Sequence, residues 1–180
     1  MGETTAPTAA DHPPTPDGEI DKLAEARGWA VDPQYTSAAA YVRDICESLP
    51  VSAVDGASRP QWLAGRLDGD SRAVLEVGIP KLCPKWTKTL EEAVSGDYEV
   101  WFGSGGYEVK AHSKPDADAI APGTYRTRGD LENCYWERLT KAGDIIDNNF
   151  ASAAREITVS VQPSDGLFKS EGCGVWKPVG

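Results

Sequence analysis

Four cysteines are the residues whose chemistry is most constrained by their spacing. They are Cys46, Cys83, Cys134 and Cys173. A structural zinc site normally uses closely spaced cysteine pairs or added histidines, but the chain has no Cys-x-x-Cys, and its two histidines, His12 and His112, lie in loop-like sequence. A nucleophilic thiol needs a neighbouring base, and neither histidine has a context that supplies one. We therefore expect disulfides, as in small exported proteins, and we expect no cofactor and no metal.

Pairs of carboxylates are the next candidates for chemistry. Asp116 with Asp118, and Asp144 with Asp147, are of the type that serves acid–base catalysis or calcium binding. Both pairs lie in turn-like sequence, where solvation of a loop is the simpler interpretation.

Two tripeptides resemble functional motifs. Gly103-Ser104-Gly105 lacks the Gly-x-Ser-x-Gly spacing of a nucleophile elbow, because residue 102 is Phe. Arg128-Gly129-Asp130 spells an integrin-binding sequence, which also occurs by chance. No triad, metal set or carboxylate geometry stands out, so we expect that the chain is not an enzyme. An envelope hydrolase is retained as an alternative.

A recognition surface is predicted at Trp136 and Arg138. These two side chains alternate with Tyr135 and Glu137, so each pair faces one side of a strand. If Trp136 and Arg138 face outward, they form an aromatic and cationic platform of the kind enriched at binding hot spots. The alternative is a tryptophan packed on a disulfide.

Composition excludes several classes of protein. The 180 residues include 28 acids and 18 bases, for a formal net charge of −10. This balance argues against nucleic-acid binding, which needs clusters of Lys and Arg, and it favours a protein or a cell-wall component as partner. No apolar run approaches the ~20 residues of a membrane-spanning helix.

The N-terminal segment is predicted to be a disordered tether over residues 1–20, because Thr, Pro and Ala dominate its first sixteen residues and leave little to bury. Such tethers commonly separate a membrane anchor from an exported domain. We expect a signal or lipoprotein leader in the precursor, so that contact with the membrane is made only through a removed N-terminal anchor. A cytoplasmic protein with a flexible N-terminus is the alternative.

Residues 21–97 are predicted to form a helical subdomain. Asp32 and Pro33 predict a helix start, with Asp as the cap and Pro in the first turn, and apolar residues then recur at intervals of three and four. Pro80 should kink or break a later helix. The predicted helices cover residues 33–49, 59–67 and 71–86.

The order of three segments in this half resembles DUF732, an actinobacterial family of exported helical domains of unknown function. The segments are Gly28–Asp32, Asp44–Leu49 around Cys46, and Ile79–Pro84 with its Cys-Pro. The resemblance covers residues 22–92. It implies a helical core tied by two cysteines and an exported location, and it implies no reaction.

Residues 98–180 are predicted to form an antiparallel β subdomain. Tyr98–Phe102 and Tyr107–Lys110 flank a glycine-rich turn and predict a hairpin. Residues 156–162 alternate perfectly between polar and apolar types. Short strands separated by turn signals are typical of an antiparallel sandwich or barrel.

This half also resembles a module of actinobacterial and actinophage exported lipoproteins, for which no activity is implied. The resemblance covers residues 100–177 and rests on five elements of sequence. They are Gly-Tyr-x-Val (106–109), Ile-x-Pro-Gly-Thr-Tyr-Arg-Thr (120–127), Cys-Tyr-Trp-x-Arg (134–138), Asp-Ile-Ile-x-Asn (144–148) and Ser-Asp-x-x-Phe-x-x-x-x-Cys-Gly-x-Trp (164–176).

The sequence thus predicts an α+β protein, with a small disulfide-tied helical subdomain followed by an antiparallel β-sandwich or barrel-like subdomain. Of three possible disulfide pairings, Cys46–Cys83 and Cys134–Cys173 are the economical choice, because two cysteines fall on each side of residue 97. We expect a secreted, lipid-anchored cell-envelope protein of actinobacteria with a non-catalytic binding role. The more pointed alternative is a bacteriophage or prophage surface lipoprotein that acts in superinfection exclusion.

Overall fold

The computed structural model describes residues 11–54 and 56–180. Five α-helices and six β-strands are present in these ranges. The helices are α1 (Pro16–Arg27), α2 (Ala38–Ser48), α3 (Arg59–Ala64), α4 (Gly69–Leu82) and α5 (Thr87–Ser95). The strands are β1 (Gly105–Val109), β2 (Ala119–Ile120), β3 (Gly123–Leu139), β4 (Ile145–Val161), β5 (Leu167–Glu171) and β6 (Lys177–Pro178). The α+β class is confirmed. Of the predicted tether, residues 1–10 lie outside the described ranges.

The chain packs as two compact units. Of the described residues, the first comprises 11–48 together with Arg66–Thr87, and the second comprises 49–54 and 56–65 together with Lys88–Gly180. The described residues of 49–65 and 88–97, which are predicted to belong to the helical subdomain, therefore pack with the sheet.

Helices α1, α2 and α4 form the first unit around a core that includes Val42, Ile45 and Leu75. The helices approach closely at Gly78, where an added Cβ would lie 2.4 Å from Cγ2 of Val42. The Cys46–Cys83 disulfide is formed, with its two Cα atoms 6.0 Å apart.

Two helix starts differ from the sequence-based expectation. Helix α1 begins at Pro16, within the segment expected to be a tether, because the Thr15 hydroxyl caps it by accepting the Gly18 N–H. Helix α2 begins at Ala38 and not at Pro33. The carboxylate of Asp32 accepts the Gln34 N–H two residues on and so forms a local turn.

The strands of the second unit form one open, mixed sheet in the order β2-β1-β5-β3-β4, with β6 on β3. Strands β1 and β2 pair in parallel, and the other pairs are antiparallel. The described strands thus form neither two facing sheets nor a closed barrel. Strands β3 and β4 are 17 residues each. Strand β4 pairs with one edge of β3, and β5 and β6 pair with separate parts of its other edge.

The predicted hairpin of Tyr98–Phe102 with Tyr107–Lys110 is wrong. Phe102 instead bridges Trp176 through two backbone hydrogen bonds of 3.0 and 2.8 Å, and β1 pairs with β2 and β5. The reason lies at Trp101, whose backbone N–H and C=O both bind the Gln61 side chain and are therefore not free for a strand ladder.

One hydrophobic core fills the second unit on the inner face of the sheet. It includes the aromatic residues Phe102, Tyr125, Trp136, Phe168 and Trp176, together with the Cys134–Cys173 disulfide. Tyr125 is buried as the sequence predicts. The predicted alternation over 156–162 is confirmed, because Ile157, Val159 and Val161 face this core.

Candidate functional site

Both predicted disulfides are present. Cys134 and Cys173, whose Cα atoms are 4.5 Å apart, join β3 to the segment after β5. Cys46 and Cys83 join α2 to the end of α4. No cysteine is free, so no thiol is offered for catalysis.

Trp136 and Arg138 do not form an exposed platform. Trp136 is only 7% exposed and lies in the core with Cys134 and Trp176. The Arg138 side chain is 13% exposed and binds Asp165 through two hydrogen bonds, Nε to Oδ2 at 2.7 Å and Nη2 to Oδ1 at 2.9 Å. Both side chains point to the face of β3 that carries the core, where Trp136 packs with Trp176 and Arg138 pairs with Asp165, so both are covered.

The Arg138–Asp165 ion pair explains part of the sequence signature. Arg138 ends the Cys-Tyr-Trp-x-Arg element and Asp165 stands in the Ser-Asp-x-x-Phe element. Burial by itself raises the pKa of Asp165. The hydrogen bonds from Arg138 and from the Gln162 N–H, with the Arg138 charge, outweigh burial and hold that pKa below its usual value. The pair therefore has a structural role.

The carboxylate pairs that the sequence offers as candidates lie in turns with local hydrogen bonds. Asp116 accepts the N–H groups of Asp118 and Ala119 at 2.8 and 3.3 Å, which is a turn-forming arrangement. Asp144 closes a turn with Thr140. In the part of the chain that the structure describes, no group of three or more His, Cys, Asp or Glu residues could hold a metal ion. Nor does any helix there have the length and apolarity to cross a membrane.

A cavity of about 660 Å³ lies on the second unit and is here called the cationic cavity. It is defined by the side chains of Trp101, Arg126, Arg128 and Lys177, with Gly174 and the C-terminal residues completing the wall. Its volume lies in the range of pockets that hold a small ligand.

Strand alternation places the two arginines. Tyr125 and Thr127 point into the core, with 6% and 1% exposure, so Arg126 and Arg128 project to the opposite face of β3. The Thr127 hydroxyl donates to the Cys173 carbonyl at 2.5 Å and fixes this stretch of β3 against the disulfide segment.

Trp101 is held in place by Gln61. The Gln61 Oε1 atom accepts the Trp101 N–H at 2.9 Å, and its Nε2 atom donates to the Trp101 carbonyl at 3.2 Å. Gln61 is itself part of the capping box that starts α3, because its Oε1 also accepts the Ser58 N–H. The Lys177 ammonium lies 3.8 Å from the centroid of the Trp101 ring, which is a cation–π contact.

Positive charge exceeds negative charge in this cavity. Arg126 and Lys177 are direct cross-strand partners in the β3–β6 ladder, and like charges in this position repel. Among the described residues, Glu156 lies 2.5 Å from Arg128 and 3.5 Å from Arg126, and Glu99 accepts the Trp101 indole N–H at 3.3 Å. In a chain with a net charge of −10, this local excess of cations makes the cavity the candidate site.

A second cavity, of about 440 Å³, lacks such an excess. It contains Tyr135, Glu137 and Lys169. The Tyr135 hydroxyl donates to Glu137 at 2.6 Å, and Lys169 lies 3.4 Å from the other carboxylate oxygen. The hydrogen bond from Tyr135, with the contact to Lys169, lowers the pKa of Glu137 against the opposing effect of burial. The lining also includes Glu171, so two carboxylates stand against one lysine and no excess of cations exists there. We therefore place the candidate site in the cationic cavity.

Comparison with known proteins agrees with the location of the sheet module. Residues 103–177 match the model of the Rv1352-like extracellular domain. The matched part is similar to an extracellular domain. The match begins just before β1 and ends at the first residue of β6, so it includes both elements of the Arg138–Asp165 pair and three of the four side chains that define the cavity. No curated protein and no solved structure matches the chain.

The match and the two disulfides together support an exported protein with an extracytoplasmic location. The match does not extend to residues 22–92, and the resemblance of that segment to DUF732 stays a prediction.

No pattern in the sequence predicts the cationic cavity as a whole. The alternation of Tyr125 to Arg128 indicates that the two arginines share a face, but nothing in the sequence brings Lys177 and Trp101 to them. Gln61 was likewise missed, although the Ser58-x-x-Gln61 spacing is that of a capping box.

Proposed function

We propose that this protein is a non-catalytic binding protein of the cell envelope, and that its cationic cavity binds an anionic group of a cell-wall component. The observation that carries the proposal is the Arg126–Lys177 pair. Lys177 stands directly opposite Arg126, beside Arg128, and the Glu156 carboxylate contacts the two arginines but is not shown on Lys177. An anion bound between Arg126 and Lys177 would relieve the repulsion.

The chemistry of the lining favours a phosphate or carboxylate ligand on an organic scaffold. The planar guanidinium groups of Arg126 and Arg128 can each donate two parallel hydrogen bonds to such a group. The Trp101 indole adds an apolar surface at the same cavity. An acidic segment of a partner protein offers the same group and is the alternative occupant.

Titration of the isotopically labelled, oxidised chain tests this proposal by nuclear magnetic resonance. With inorganic pyrophosphate and with citrate as probes, we expect saturable shifts of the Trp101 indole N–H and the side-chain N–H groups of Arg126 and Arg128. Arg126→Gln and Lys177→Gln should each weaken binding about tenfold. Arg155→Gln is the matched control, because Arg155 pairs with Asp130 and is not among the cavity residues. Equal shifts in parent and Lys177→Gln would contradict the proposal.

Binding to isolated cell-wall material then separates the two occupants. We expect the parent chain to cosediment with intact wall material and to lose binding when its acidic polymers are removed. If the chain still binds wall material from which the acidic polymers, but not the proteins, have been removed, an acidic protein partner is favoured instead.

We also propose that a lipid anchor tethers the mature protein to the membrane. The similarity to an extracellular domain supports this, as does the resemblance to exported lipoproteins. Incorporation of labelled palmitate by the product of the full gene tests it. Superinfection exclusion and envelope hydrolysis remain predictions from the sequence, and no contact in the structure favours either over binding.

A further inference from the structure

Strand β4 is an edge strand along its whole length. It stands last in the sheet order, next to β3 alone, so no strand in the described part of the chain covers its other side. From Ile145 to Ala154 most of its residues are exposed. Such an edge presents unpaired backbone N–H and C=O groups that can pair with another strand.

The exposed part of this edge has large apolar side chains and little of the usual protection. Ile145, Ile146 and Phe150 are 56%, 43% and 59% exposed, and they make up half of the exposed large hydrophobic side chains in the described ranges. Natural edge strands use charged side chains, especially Lys, and Pro against pairing, and residues 145–154 contain a single such residue, Asp147. The C-terminal part of β4 is more strongly charged, since Arg155 and Glu156 directly follow Ala154.

We propose that β4 pairs antiparallel with β4 of a second copy of this chain, about a two-fold axis at Asn148. The segment Ile145–Ala151 is self-complementary in that register. Ile146 then stands opposite Phe150 of the second copy, and Phe150 opposite its Ile146, so these two exposed apolar side chains cover each other twice. A symmetric interface of this kind uses the same surface on both copies.

The polar residues of the segment fit the same register. Asn148 lies opposite its own copy. Its amide donates one hydrogen to the Tyr135 hydroxyl at 3.3 Å, and the second can be donated to the amide oxygen of the copy. Asp147, 4.0 Å from Arg138, lies opposite Asn149, whose amide can donate to the carboxylate. A two-fold axis at Asn149 would instead place Asn148 opposite Phe150. Of these two axes, the one at Asn148 places apolar residues opposite apolar residues and donors opposite acceptors.

This pairing is weak and dependent on salt. Seven residues on each side bury less than a standard protein interface, and two chains of net charge −10 repel each other. Added salt screens that repulsion, so dimerisation should strengthen as ionic strength rises from about 0.02 to 0.3 M. The paired segment lies outside the cationic cavity, so the proposal does not depend on the proposed function.

Sedimentation velocity of the full chain with intact disulfides tests the proposal. Between about 5 and 500 µM we expect a shift from monomer to dimer, and Phe150→Lys should weaken association at least tenfold. Phe150 is exposed and outside the core, so this variant should fold, which circular dichroism checks. A chain that stays monomeric at the highest concentration in 0.3 M salt, or a Phe150→Lys variant that associates like the parent, would overturn the proposal.

Disulfide crosslinking tests the register independently. The two-fold axis brings the two copies of residue 148 face to face, so Asn148→Cys should form a crosslinked dimer under mild oxidation at least tenfold faster than Ser152→Cys. Ser152 is the matched control, because it is exposed on the same strand and lies four residues from the axis. Equal crosslinking rates for the two variants would refute the register.

Discussion

Arg138 and Asp165, 27 residues apart in the chain, form a bidentate ion pair on the buried side of β3. Asp165 also accepts the Gln162 N–H at 2.9 Å, so both of its oxygens are satisfied without water. The residue that the sequence marks as a recognition candidate thus anchors the β4–β5 connection to the centre of the sheet.

Removing one partner of this pair should destabilise the second unit strongly. In Arg138→Met the Asp165 carboxylate is left buried without its counter-ion, and such losses cost about 3–5 kcal/mol. The free energy of unfolding from urea titration measures the effect. Arg155→Gln is the control, because the Arg155–Asp130 pair is exposed and should contribute less than about 1 kcal/mol. Similar losses in both variants would show that the buried pair has no special role.

Acid should destabilise the protein partly through Asp165. Its pKa is lowered in the folded state, so its contribution is fully present above the unfolded-state pKa of about 3.9. That contribution is lost as the pH falls from about 5 through the lowered folded-state value. Asp165→Asn removes the titrating group, so its free energy of unfolding should fall less steeply than that of the parent between pH 5 and 2. Parallel pH profiles for the two proteins would contradict this prediction.

Each disulfide should stabilise its own unit. The bonds close loops of 37 and 39 residues, and each contributes about 4 kcal/mol in the chain-entropy account. In hydrogen exchange, Cys46→Ala/Cys83→Ala should raise exchange in α1, α2 and α4. Cys134→Ala/Cys173→Ala should raise it in β3, β4 and β5. The outcome that would contradict this is an equal rise over the whole chain in both variants.

Gly78 should resist enlargement because of Val42. The added Cβ of Gly78→Ala would lie 2.4 Å from Val42 Cγ2, and overpacking of this kind costs about 1–3 kcal/mol. The gain in helix propensity, up to about 1 kcal/mol, opposes only part of that cost. Thermal unfolding should show the loss.

A paired substitution tests the cause of the Gly78 effect. Val42→Ala opens the space that the new methyl group needs, so Val42→Ala/Gly78→Ala should be more stable than the sum of the two single effects predicts. Gly65→Ala is the matched control, since a Cβ there meets no atom closer than 3.5 Å. Strict additivity at 42 and 78 would rule out the contact as the cause.

Local patterns in the sequence were enough to establish the class of this protein. Four cysteines without metal spacing predicted two disulfides, and both formed. The change from helical to strand periodicity predicted the α+β class. The alternation of Ile157, Val159 and Val161 identified a core face, because side-chain direction along a strand depends only on the local backbone.

Tertiary structure decided what local patterns do not contain. Alternation at Tyr135 to Arg138 defined two faces but could not tell which one is covered, since that depends on the distant segment with Trp176 that packs onto one face. The hairpin expected after Tyr98 does not form, because the Gln61 side chain of α3 hydrogen-bonds to the backbone N–H and C=O of Trp101. The cationic cavity likewise exists only because β6 brings Lys177 opposite Arg126 and Gln61 holds Trp101 beside them. Which strands lie next to each other depends on packing between segments that are far apart in the sequence. The residues around any one position therefore do not predict it.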